Sequence, residues 1–377
     1  MRVAFVTNFC PHYRVKTFET LARYHDVDYL FFSKGDEWYW PGQHGVHRGD
    51  FRHEYLSGFS LAGTRVTPSL LLRLWRGNYR AIVKCVQGRF ALPATYLVAR
   101  LKKTPFVLWT GVWMRLRTPF HRLFFPVVRY IYRHADAVVV YGEHVKRYLV
   151  DEGVSPGRIF VAPHAVDNAS YRRKVPEEFT AALRAELGVE PRQKIVLYLG
   201  RLESGKGLPD LIDAFASLGD PDAVLVLAGS GAQAAPLREQ ARQRGIERRV
   251  RFPGYVPPDS ALVYYSLAYV FVLPSVTTPV FKEPWGLVVN EAFNQGLPVI
   301  ATEAVGAAAG GLVRDGVTGL VVPERDAAAL SGALRRLLAD RSLRDALGAR
   351  AAEVVAGWDN ERMVMGFRQA IDAVTAS

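Results

Sequence analysis

KIVLYLGRLESGKGLPDLIDAF, residues 194–215, starts as an apolar run, crosses a polar loop and ends in a helical pattern. The unbroken apolar residues from Ile195 to Leu199 suit a strand buried on both faces. Gly200 ends that strand, Arg201 and Lys206 put two cations in the loop, and a helix is predicted to begin near Leu208 or Pro209. In open parallel sheets, ligands bind beyond the carboxyl ends of the strands, so such a junction is where a site is sought. Gly205 and Gly207 let the backbone approach an anion, Arg201 can fork onto a phosphate, and Lys206 supplies a mobile point charge. This is a phosphate site by chemistry. Both side chains are expected on a loop, where replacement leaves the fold intact. The stretch also satisfies most of G-x-x-x-x-G-K-[ST], but Gly207 stands where a hydroxyl would hold Mg²⁺, which argues against a P-loop nucleotidase.

A second junction of the same kind is FKEPWGLVVNEAFNQGLPVIAT, residues 281–302. It follows the strand YVFVLPS and the loop VTTPVFKEP, and a helix is predicted to start near Gly286 with free N–H groups suited to a pyrophosphate. Glu283 stands in the loop beside that anion site, and Glu291 lies eight positions further along. A carboxylate accepts two hydrogen bonds from a vicinal diol, so one glutamate can hold a sugar and the other a ribose. Either carboxylate alone reads equally well as a surface or helix-dipole charge.

Outward from these junctions, short apolar strands alternate with helical patterns along the whole chain. RVAFVTN, VDYLFFS, YRAIVKC, PFVLWTG, DAVVVYG and RIFVAPH read as strands in the first half. AVLVLAG, VRFPGY, LPVIAT and TGLVVP join the two strands already named in the second. The alternation implies βαβ units, and 377 residues exceed one core, so two doubly wound α/β domains are expected. NASYRRKVPEEFT looks like their connection. Residues 1–170 hold 24 Lys and Arg against 12 Asp and Glu, while residues 171–377 hold 24 of each, so the net charge of +12 lies in the first half. A basic half faces phosphate, nucleic acid or anionic lipid. Two cysteines, Cys10 and Cys85, are too few for a disulfide framework and fit a reducing cytoplasm. No signal-peptide core or membrane span is read, so the expected location is cytoplasmic, with attachment to the inner face of a membrane as the alternative to a fully soluble protein.

GRLESGKG, AGSGAQAAPL, VRFPGYVPPDSALVYYSLAYVFVLPS and EPWGLVVNEAFNQGLPVIAT together resemble the retaining, GT-B-fold glycosyltransferases of family 4. The resemblance covers most of residues 194–323. It implies two Rossmann-like domains facing a cleft and transfer of a sugar from a nucleotide-diphosphate donor to a glycan, glycolipid or natural-product acceptor. No obligatory metal and no further cofactor are implied. The expected division is an acceptor-binding domain over 1–170, a nucleotide-sugar-binding domain over 171–356, and a C-terminal helix over about 357–377 packing back on the first. Carried over by position, Arg201 and Lys206 neutralise the departing diphosphate and Glu283 contacts the donor sugar, which makes these three the catalytic candidates. Glu291 holds the ribose, the backbone at Gly286 and Leu287 cradles the phosphate with Gly200 and Gly205, and the turn Gly254, Tyr255, Val256 lies against the base. Charge develops on the diphosphate as the glycosidic bond breaks, and fixed cations stabilise it without reorganisation, so neither glutamate need be a nucleophile.

The first half matches the family less closely. NFCPHYRVKTF replaces the glycine-rich loop that many members carry, and its Arg14 reads either as a contact to the diphosphate or an acidic acceptor or as a structural arginine. PFVLWTGVW offers no cleft histidine, His164 stands where Asn is more usual, and Gly311 replaces a common glutamate. RVTPSLLLRLWRGNYR and WMRLRTPFHRLFFPVVRYIYRH set arginine beside Leu, Trp, Phe and Tyr, as in helices lying at a lipid interface or in ordinary packed helices with solvated charges. Two other functions compete. A nucleotide-sugar epimerase of related fold would use the same site, and a basic nucleic-acid-binding protein would explain the charge but leave Glu283 and Glu291 without work.

Overall fold

The computed structural model describes residues 1–35 and 49–376. The chain divides into two compact units: Met1–Asp167 joined by Asp359–Ser377, and Asn168–Trp358.

The first unit is built on strands β1 (Arg2–Thr7), β2 (Asp26–Phe31), β3 (His53–Tyr55), β6 (Ala81–Cys85), β7 (Phe106–Thr110), β8 (Ala137–Val140) and β9 (Ile159–Val161); β4 (Phe59–Leu61) and β5 (Thr64–Val66) form a separate antiparallel hairpin. The seven strands are parallel in the order β3-β2-β1-β6-β7-β8-β9. Helices cover both faces of such a sheet, so its strands carry apolar residues at every position rather than at alternate ones. Val3 to Val6 and Val138 to Val140 are accordingly fully buried. The helix Asn360–Thr375 belongs here: Asp359 caps it by accepting the Arg362 N–H at 2.8 Å, Thr17 donates to Asn360 at 2.6 Å, and Phe367 packs 5.5 Å from Phe5. Gly366 permits that contact, since a side chain there would strike the backbone at Val161 and Ala162. Ser377, the last residue of the expected helix, lies outside the described residues.

The second unit has strands β10 (Lys194–Leu199), β11 (Ala223–Ala228), β12 (Val250–Gly254), β13 (Val270–Leu273), β14 (Val299–Thr302) and β15 (Gly319–Val322), parallel in the order β12-β11-β10-β13-β14-β15. Strand order reverses between β10 and β13 here, and between β1 and β6 in the first unit. Loops leaving the two central strands in opposite directions open a crevice at such a point. Among the described residues no helix is long and apolar enough to cross a membrane.

Candidate functional site

Both junctions singled out in the sequence lie at the reversal point of the second sheet. The loop after β10 carries Arg201, Gly205 and Lys206; the loop after β13 carries Ser275 and Glu283. Val276 donates its N–H to the Gly205 carbonyl at 2.9 Å, tying the loops together. Gly207 closes the first turn at φ +63°, where any Cβ would also collide with the Pro274 carbonyl, so only glycine fits. The helix Leu208–Ala216 follows at once. Tyr198, fully buried in β10, donates its hydroxyl to the Arg201 carbonyl at 2.7 Å and fixes where that residue leaves the strand.

Lys206 and Glu283 form a hydrogen-bonded ion pair, with side chains only 12% and 10% exposed. Ser275, itself fully buried, donates to the same carboxylate oxygen at 3.0 Å. The Lys206 ammonium also lies 5.0 Å from the centre of the Phe281 ring. Lys206 is therefore not the freely tolerant loop residue expected from sequence. A carboxylate left without this partner stays buried, and the fold bears that cost. Among the described residues no carboxylate forms an ion pair with Arg201, which is half-buried.

The helix expected near Gly286 begins two residues later, at Val288, and ends at Asn294. Gly286 sits outside it at φ +91° and Leu287 is its N-cap; their carbonyls accept from Val289 and Glu291 at 2.9 and 3.2 Å. Glycine's left-handed conformation delays the helix and turns the chain sharply after the buried Trp285, whose Nε1 donates to Asn290 at 2.8 Å. Glu291 points into the unit and accepts the Tyr265 hydroxyl at 2.7 Å. Burial raises its pKa, opposed by hydrogen bonds from Tyr265 and Tyr171. Glu291 is thus a buried, tyrosine-held carboxylate rather than a surface charge. The Gly254, Tyr255, Val256 turn follows β12, with Gly254 at φ +84° and its carbonyl accepting from Gly229 at 2.7 Å. Ser275, Tyr265, Tyr171 and Phe281 escaped the sequence reading. Ser275 alone carried a signal, its place two residues beyond the end of β13.

In the first unit, Arg14 lies just past β1, at that sheet's own reversal point. It is buried, donates to Thr7 Oγ1 at 3.4 Å and stacks over Trp109 at 4.5 Å. Trp109 Nε1 is a buried donor without a hydrogen-bond partner among the described residues. His164 stacks flat on Tyr141, 4.3 Å between centroids, and edge-on to Tyr13. Burial first and Arg14 second push its pKa well below the usual imidazole value, so the ring is neutral at pH 7. Arg14 thus belongs to an aromatic cluster within its own unit.

Comparison with known proteins places this geometry. Residues 179–354 match glycosyl transferases group 1, and residues 18–170 match glycosyltransferase family 4. The D-inositol 3-phosphate glycosyltransferase of Corynebacterium aurimucosum is 35% identical over 232 residues, 58% of this chain and 52% of the relative. That of Nocardia farcinica is 34% identical over 253 residues, covering 64% and 54%. The chain therefore spans about half the length of the curated relatives it matches. Among solved structures, Anabaena Alr3699/HepE in complex with UDP superposes with a TM-score of 0.78 at 20% identity, over 98% of this chain and 99% of that one. The two matched stretches and the shared fold agree, and the chain belongs to the family 4 glycosyltransferases of GT-B fold.

Proposed function

We propose that the chain transfers a glycosyl group from a nucleoside-diphosphate sugar to an acceptor hydroxyl, with retention of configuration and no obligatory metal. The observation that carries this reading is the Lys206–Glu283–Ser275 cluster at the reversal point of the second sheet, with Arg201 on the same loop as Lys206. An arriving diphosphate competes for the Lys206 ammonium, and Glu283, released from it, accepts hydroxyls of the donor sugar. Arg201 and Lys206 then stabilise the charge that builds on the departing diphosphate. Glu291, oriented by Tyr265, receives the ribose diol.

In this reading the second unit binds the donor and the first, basic unit binds the acceptor at an anionic membrane surface. UDP sugars come first among donors to test, because the fold relative from Anabaena was solved with UDP. The curated relatives' name adds a phosphorylated polyol to lipid-linked glycans as acceptor classes. The experiment is a thermal-shift series with UDP, GDP, ADP and dTDP sugars, since a ligand of the native state raises the melting temperature by mass action. Product analysis with acceptor, in chelator, follows. A glycosylated product supports transfer; an isomerised sugar with no glycoside means an epimerase.

A further inference from the structure

Within the first unit, the sixteen-residue helix Pro119–His134 buries only Ile131 and Tyr132. Leu123, Phe124, Val127 and Tyr130 are 45 to 74% exposed, an arrangement that costs apolar surface left in water unless something covers it. At 3.6 residues per turn, Arg122, Arg129 and Arg133 fall within about 40° of one another, beside the arc holding Tyr130, Leu123 and Val127. The helix contains no Asp or Glu.

Beside it lies a pocket of about 340 Å³ lined by Arg115, Arg129 and Arg133 with Phe125, Tyr130 and His134. One buried residue, Glu152, organises all three guanidinium groups, two through its carboxylate and one through its backbone carbonyl. Arg115 binds its two oxygens at 2.6 and 2.9 Å, Arg129 lies 2.9 Å from Oε2, and Arg133 donates to the Glu152 carbonyl at 2.7 Å. Three positive charges thus meet one negative charge that faces inward. Arg115 is further held 4.9 Å over the Phe125 ring. Guanidinium groups fixed in this way lose little freedom on meeting a phosphate, which they can grip with paired N–H donors.

We propose that this helix seats the unit on an anionic phospholipid surface, with Arg115, Arg129 and Arg133 taking a headgroup phosphate while Leu123, Phe124 and Val127 enter the acyl boundary. The commitment to lipid follows from the pairing of features on one helix: an uncovered apolar ridge with a flanking aromatic, and a preorganised cationic pocket with no acidic residue on the ridge. Leu97 and Leu101 of the helix Ala91–Leu101, whose Tyr96 meets Tyr130, are also more than half exposed. The inference rests on the reading of the basic half as facing an anionic surface, and not on glycosyl transfer.

The test is flotation of the full chain, without donor, on phosphatidylcholine vesicles with and without phosphatidic acid. Binding is expected only with phosphatidic acid and is expected to fall steeply as salt rises. Arg129→Gln with Arg133→Gln should weaken partitioning roughly 25-fold, at about five-fold per arginine. Arg115→Gln, whose side chain is 56% exposed, should weaken it about five-fold; Glu152 loses its two-oxygen partner but keeps Arg129, so the variant should fold with a lowered melting temperature. Leu123→Ser with Val127→Ser should weaken it with the salt dependence retained. Equal binding to neutral vesicles, or none to either at low salt, overturns the membrane reading as a whole. Anionic binding unchanged in both arginine variants overturns the pocket alone. A melting temperature raised by millimolar glycerol phosphate at constant ionic strength, with no binding to phosphatidic acid vesicles, would assign the pocket to a soluble phosphate ester and overturn the lipid. The donor thermal shift of the second unit is unaffected by any of these outcomes.

Discussion

Replacing Lys206 with methionine separates what the ion pair does for the fold from what it does for a ligand. The substitution keeps the length and apolar stem of the side chain over Phe281 but removes the ammonium, while Ser275 still donates to Glu283. Breaking a buried pair costs about 3–5 kcal/mol, because the surviving charge stays desolvated. Both side chains keep about a tenth of their surface in water, 12% and 10%, which puts the cost at the lower end, about 3 kcal/mol. For a unit of this size each kcal/mol shifts the midpoint by about 2–4 °C, so thermal unfolding followed by circular dichroism should move down by about 6–12 °C. Adding Glu283→Gln removes the stranded charge, and the double variant should recover to within about 1 kcal/mol of the parent. Turnover should stay low in both, because the leaving diphosphate has lost its cation. A Lys206→Met protein that melts with the parent, or a double variant no more stable than the single one, refutes the pairing as a structural element.

Arg201→Ala should lower turnover by roughly 100-fold or more with the melting temperature unchanged, and near-normal transfer would remove its role at the diphosphate. Glu291→Gln removes a buried charge but keeps an oxygen for Tyr265, so stability should hold or rise by up to about 1 kcal/mol while donor affinity falls more than the bound-state rate. Loss confined to the rate, with affinity intact, reverses the ribose assignment. His164 is held neutral in the folded protein, whereas the unfolded chain protonates it near pH 6.5. The unfolded state therefore binds more protons below that pH, and stability should fall as pH drops from about 6.5, by about 1.4 kcal/mol per unit where only the unfolded ring is charged. His164→Gln should flatten that part of the acid arm in pH-dependent denaturant melts; an unchanged arm means the ring takes up its proton in the fold.

The twelve apolar runs read from the sequence all lie in strands, and the three strands that were missed explain why. β3, β4 and β5 are three residues each. β3 reads His-Glu-Tyr, is the edge strand of the sheet among the described residues and is only partly buried, so it has no need of a continuous apolar run. Phe59 and Leu61 of the hairpin are more than half exposed, and periodicity carries no signal where neither face is buried. The return helix was legible for the opposite reason. Met363, Val364, Phe367, Ala370 and Ile371 repeat at helical spacing and are all buried.

The meeting of the two loops was equally open to sequence reasoning, but their electrostatics were not. Once β10 and β13 are neighbours, their outgoing loops start about 5 Å apart, and residues 200–207 and 274–287 must meet. Which way their charges turn is a separate matter. A lysine and a glutamate on adjacent loops can both face a ligand or can face each other, and the same letters serve both arrangements. What decides it here is packing. Gly205 leaves room for the Phe281 ring, which lies within 5.0 Å of the Lys206 ammonium, and Ser275 supplies the carboxylate with a second donor. Glu291 shows the same limit, since the tyrosine that holds it stands 26 positions earlier on another helix. A family pattern marks such residues as present in a site, whereas their protonation, pairing and cost to the fold follow from partners that no spacing rule connects. Lys206 is therefore held in an ion pair with Glu283. In the proposed mechanism a diphosphate recruits the lysine by displacing Glu283, so cation and carboxylate become available to the donor in a single exchange.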